Sequence, residues 1–111
     1  MKILIAVSSL LFSVSAFGAE IAGRFIVVNE VIACGEFDTL RNDFCLLEVT
    51  DITGESRTAW VPLPAPRFTA GDELEVALAY GCDEYDEVQQ YACLYEIQAP
   101  NKQMAYIYIV D

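Results

Sequence analysis

The chain has 111 residues, with 17 acidic and 6 basic side chains, four cysteines and no histidine. The length is that of one domain, and the missing histidine removes the commonest general base and metal ligand. A formal charge of −11 argues against nucleic acid and anionic membrane as partners, because gripping phosphate takes clustered lysine and arginine.

Residues 1–18 read as a secretory signal peptide. Lys2 supplies a short positive start, Ile3 to Phe12 is almost wholly apolar, and small residues then gather up to Gly18 and Ala19. Cleavage after Gly18 places Gly18 and Ala16 at the two positions that need small side chains. The apolar run is shorter than the ~20 residues a span requires, and no cysteine follows it to carry a lipid. The expected product is a secreted or periplasmic domain, residues 19–111, with no membrane span. It has 93 residues and a charge of −12, since Lys2 leaves with the signal.

The rest of the chain reads as strands and turns. Phe25 to Ala33 is rich in β-branched residues, and Cys45 to Thr50 alternates, with Cys45, Leu47 and Val49 on one face. Asp51 to Ser56 is turn chemistry, and Arg57 to Val61 makes a third strand. Pro62-Leu63-Pro64-Ala65-Pro66 is a stiff connector, because three prolines in five residues do not sit in a central strand. Glu73 to Tyr80 alternates, predicting Leu74, Val76, Leu78 and Tyr80 inward and Glu73 and Glu75 outward. Cys93 to Gln98, a turn over Ala99 to Lys102, and Met104 to Val110 complete the second half. In the last strand Ala105, Ile107 and Ile109 suit the interior. Tyr106 and Tyr108 are left as candidates for a half-exposed patch, a setting tyrosine favours.

Sliding the chain against itself by 48 residues aligns 22–63 with 70–111 without a gap. Nine of the 42 aligned positions are identical, including Cys34 with Cys82, Glu36 with Glu84, Asp38 with Asp86 and Cys45 with Cys93. The expected fold is all-β: two tandem three-stranded meander repeats, 22–63 and 70–111. One such sheet leaves an apolar face bare, so the two pack as a small six-stranded barrel or sandwich with pseudo-two-fold symmetry.

Four cysteines allow three pairings. The repeat favours one disulfide within each copy, Cys34 with Cys45 and Cys82 with Cys93; zinc or redox roles would want tighter spacing. Each pair brackets a ten-residue loop, and both loops carry an aromatic between acids: Glu36-Phe37-Asp38 and Glu84-Tyr85-Asp86. Leu40 with Phe44, and Val88 with Ala92, stand four apart, which allows a helical turn inside each loop. Three readings of these loops compete. The acids are a solvated surface, or they bind calcium in a calcium-dependent structural envelope protein, or they form a protein-binding face.

Catalysis is poorly supplied. After the signal there is one serine, one lysine and no histidine, so no Ser–His or Cys–His nucleophile exists, and no glycine pattern cradles phosphate. Carboxylates are plentiful, but none stands out from the acidic background. The expectation is a non-enzymatic binding module without cofactor or metal. Its binding residues are Glu36, Phe37, Asp38, Glu84, Tyr85 and Asp86. Its partner is a basic protein or cell-envelope component, for instance a cationic secreted enzyme such as a lysozyme-like hydrolase that it inhibits.

Overall fold

The computed structural model describes residues 22–35 and 43–110. The signal segment and the first loop's Glu36, Phe37, Asp38 and Leu40 lie outside the described residues. Six strands are present: β1 (Phe25–Cys34), β2 (Phe44–Thr50), β3 (Ser56–Pro62), β4 (Glu73–Tyr85), β5 (Gln90–Gln98) and β6 (Met104–Val110). There is no helix among the described residues. All pairings are antiparallel, and the sheet closes on itself in the order β1-β2-β3-β6-β5-β4. Of the two architectures left open by the sequence, the barrel is the one adopted. The ring closes through short contacts, so β4 beyond Val76 and β6 before Tyr108 pair with a neighbouring strand on one side only.

Two three-stranded meanders meet at two short seams. Phe25 to Val27 pair with Glu73 to Glu75, and Thr58 to Trp60 pair with Tyr108 to Val110. The interior is filled by alternate residues of every strand: Ile26, Val28, Cys45, Leu47, Val49, Ala59, Val61, Leu74, Val76, Ile97, Ile107 and Ile109. The face expected for Cys45, Leu47 and Val49, and for Ile107 and Ile109, is the face they occupy. The connector after β3 also contributes, because Phe68 reaches this core.

The residues between them on β2, β3 and β6 point outward, yet many are also buried. Phe44, Trp60 and Tyr108 join Val88 and Ala92 in a second cluster, flanked by Leu46, Tyr85, Leu94 and Val110. Strands apolar on both faces have two layers to cover, and here the second cover is the turn that joins β4 to β5.

One face assignment is corrected. Leu74 and Val76 point inward as alternation predicts, but Leu78 and Tyr80 are exposed. The pairing of β4 with β5 shifts between Val76 and Leu78, and again between Ala79 and Gly81. A bulge inserts one unpaired residue and reverses the facing of the residues beyond it. Strand β1 has corresponding shifts against β2, between Val28 and Glu30 and between Val31 and Ala33.

Two disulfides, Cys34–Cys45 and Cys82–Cys93, tie directly opposed residues of β1 with β2 and β4 with β5. Each closes a loop that should stabilise the fold by about 3 kcal/mol on the chain-entropy model. Their presence points to an oxidising, non-cytoplasmic environment. No helix among the described residues is long and apolar enough to cross a membrane.

Candidate functional site

The loop bracketed by Cys82 and Cys93 is a continuation of the β4–β5 hairpin. The pairing runs on to Tyr85 with Gln90. The carbonyl of Tyr85 then accepts the amides of Val88 (3.3 Å) and Gln89 (2.8 Å), a single helical turn closed by Gln89 at φ 57°. This turn drives Val88 into the outer aromatic cluster, where it is fully buried. Tyr85 packs its ring against Tyr108, with centroids 5.4 Å apart, and its hydroxyl donates to the carbonyl of Gly81 at 2.8 Å. Burial, followed by the charges of Asp83 and Glu87, holds the Tyr85 phenol above its ordinary pKa. Tyr85 thus has a structural task. Glu84 and Asp86, the other candidates in this loop, are exposed, as are Asp83 and Glu87. The loop is a cap, apolar underneath and acidic on top.

The two tyrosines singled out in β6 have different fates. Tyr108 lies beneath the cap with Phe44 and Trp60, and burial is the main cause of its raised pKa. Tyr106 is 48 % exposed. It belongs to an outward row across the barrel wall, Leu78–Glu96–Tyr106, set by the pairings of β4 with β5 and β5 with β6. Tyr80 leans toward this row, with its ring centroid 6.0 Å from that of Tyr106 at an interplanar angle of 55°. Its hydroxyl donates to Glu96 Oε1 at 3.3 Å. Desolvation first, then Tyr106 and the charge of Glu96, raise the Tyr80 pKa, so at neutral pH the phenol keeps the proton it donates.

Beside this row lies a groove of about 310 Å³, lined by Pro62, Leu63, Pro64, Glu96, Met104, Ala105 and Tyr106. Leu63, Leu78, Tyr80, Met104 and Tyr106 are all exposed here. No ion pair among the described residues involves Glu96, since those present join Arg57 to Asp51 and to Glu55. Alternation alone missed this site because it turned Leu78 and Tyr80 inward. The signal was in the aligned first half, where Leu78 falls on Glu30, a residue that belongs outside.

A second groove of about 360 Å³ lies at the matching place on the other half, lined by Ile32, Glu48, Ser56, Arg57, Thr58 and Val110. Its glutamate, Glu48, accepts the Ser56 hydroxyl at 2.8 Å. Nearby, the β2–β3 turn is organised by Asp51, which accepts from the Thr53 hydroxyl and from the amides of Thr53 and Glu55, and pairs with Arg57 at 3.2 Å. Burial is the largest single influence on Asp51 and acts to raise its pKa. The hydrogen bonds together outweigh it and leave the carboxyl below 3.8.

The chain matches no family model, no curated protein and no solved structure.

Proposed function

We propose that this chain is an exported, non-enzymatic binding module, built by duplication of a three-stranded unit, that recognises a basic protein through its acidic outer surface. The observation that carries the binding reading is the exposed aromatic and apolar patch of Leu78, Tyr80, Met104 and Tyr106. It spans neighbouring strands of one wall, where Leu78 and Tyr106 flank Glu96 across the ladder. Contiguous exposed apolar surface rimmed by polar groups is a mark of interaction sites. The surrounding charge sets the sign of the partner: after the signal, 17 carboxylates against 5 basic side chains attract a cationic surface and repel an acidic one. Glu84 and Asp86 on the cap contribute to that field.

Duplication is supported by details that recur 48 residues apart. The bulges of β1 and β4, the two disulfides and the two outer grooves do so. The seams agree as well, because Ile26 pairs with Leu74 and Trp60 with Tyr108, each residue facing its own counterpart. Export is supported by the leading apolar segment and by the disulfides. A cationic secreted enzyme, held and inhibited, is the concrete form of the partner.

The test is direct binding to a purified c-type lysozyme, a cationic secreted hydrolase, at low and high salt. Binding that weakens as salt rises is expected. Absence of binding to this and other cationic secreted hydrolases at low salt contradicts the reading. Melting in millimolar calcium and then in chelator should give the same temperature; a large calcium-dependent rise would favour the structural calcium role instead.

A further inference from the structure

We infer that the groove beside Tyr80, Glu96 and Tyr106 is the recognition site for an arginine side chain of the basic partner. The inference rests on the binding reading above and names its anchor. Among the described residues Glu96 is the only carboxylate lining this groove, and it makes no ion pair. Its one hydrogen bond described is from Tyr80 to Oε1, which leaves the carboxylate capacity to accept more. Two tyrosine rings stand beside it, tilted 55° with centroids 6.0 Å apart, each about half exposed.

A cation beside a tyrosine face is attracted by the ring's quadrupole. A planar guanidinium adds two things an ammonium lacks: it stacks on an aromatic face, and it offers parallel N–H donors to a carboxylate. Leu63, Leu78 and Met104 extend the apolar surroundings over which the three-carbon stem of an arginine can lie. An acidic or purely apolar occupant would leave Glu96 desolvated without compensation, and a neutral donor would offer it hydrogen bonds without a charge.

The matching groove of the other half provides an internal control. There Ile32 and Thr58 stand where Tyr80 and Tyr106 stand, and Glu48 is engaged by Ser56 at 2.8 Å. It has the carboxylate without the rings.

The experiment uses three acetylated and amidated tripeptides, Gly-Arg-Gly, Gly-Lys-Gly and Gly-citrulline-Gly, titrated into the folded protein and followed by amide and tyrosine-ring NMR shifts. The arginine peptide should shift Tyr80, Glu96 and Tyr106 together, the lysine peptide less, and the neutral citrulline peptide little. Glu96→Gln or Tyr106→Ala should reduce the arginine response to the citrulline level, whereas Glu48→Gln leaves it unchanged. All these positions are exposed or half-exposed, and unchanged melting shows that each variant is folded. Equal responses to arginine and citrulline, or shifts spread evenly over the acidic surface, would overturn the inference. So would self-association in sedimentation that Tyr106→Ala abolishes, since the occupant would then be a second copy. The capture assay separates this failure from that of the broader reading. If Tyr106→Ala binds lysozyme as the natural chain does, the groove is not the anchor although the module still binds. If the natural chain itself binds no cationic hydrolase, the broader reading falls.

Discussion

The two outer grooves of this barrel are built from positions 48 residues apart, and they differ in almost everything except their central glutamate. One presents Ile32, Ser56 and Thr58 around Glu48; the other presents Tyr80, Met104 and Tyr106 around Glu96. The bulges in β1 and β4 give both grooves the same outward turn of the chain. Backbone geometry therefore provides a shallow site twice, and side-chain chemistry decides which one has something to grip.

The comparison extends to the hairpins, and the largest expected effect tests whether they are equivalent in stability. Replacing Cys34 and Cys45 together by serine should lower unfolding stability by about 3 kcal/mol, and so should replacing Cys82 and Cys93, because both loops span the same number of residues. Denaturant melts of the two double variants check this. A much greater loss in the second hairpin would mean that its disulfide also holds the cap in place.

Within the second hairpin, buried and exposed positions should part clearly. Val88→Ala removes methyl groups from the fully buried underside of the cap and should cost about 1–2 kcal/mol. Tyr91→Ala, at a half-exposed position nearby, should change stability by less than about 0.5 kcal/mol. Equal effects would break the description of the loop as a cap.

The β2–β3 and β5–β6 turns share a backbone pattern but divide on Asp51, whose counterpart is Ala99. In both, the first residue donates to the carbonyl four residues on and accepts from the amide three residues on. Asp51→Ala should cost about 1–2 kcal/mol through its lost hydrogen bonds. The sign of its pH dependence comes from its lowered pKa. The stabilisation is present above the ordinary carboxylate value and is lost as pH falls through the folded-state value. Melting of the natural chain against Asp51→Asn should therefore converge in acid and separate toward neutrality.

The smallest effect has opposite signs in the two turns. Gly54 and Lys102 hold matching left-handed positions, at φ 90° and 76°. Lys102→Gly should stabilise by about 0.5–1 kcal/mol, and Gly54→Ala should destabilise by a similar amount, although a Cβ at Gly54 meets nothing within 4 Å. Melting temperatures of the two variants check this.

Much of the barrel was legible in period-two patterning. The faces of β2 and β6 follow alternation, and all six expected strands are present, although β4 and β5 run on to Tyr85 and Gln90 through residues expected to be loop. Bulges were not legible from alternation, because an inserted residue leaves local hydrophobicity unchanged while reversing the face. Gly81 inside a strand and Glu30 opposite Leu78 in the alignment were the available clues. The outer aromatic cluster was also missed. Trp60 and Tyr108 alternate properly, and only their burial under Val88 reveals a second layer. For the site, the acids and Tyr106 could be nominated from residue type. Tyr85 could not be distinguished from Tyr80, since which ring is packed and which is free depends on how the hairpin turns.

The central claim is that one groove recognises cations and its counterpart does not. Glu96→Gln and Glu48→Gln remove the same charge from equivalent places on the same fold, so calorimetric titration of each with the c-type lysozyme isolates the local contribution from the general field. The account predicts at least a tenfold weaker affinity for Glu96→Gln, about 1.4 kcal/mol, and a change of less than twofold for Glu48→Gln. Equal losses in the two variants would contradict it.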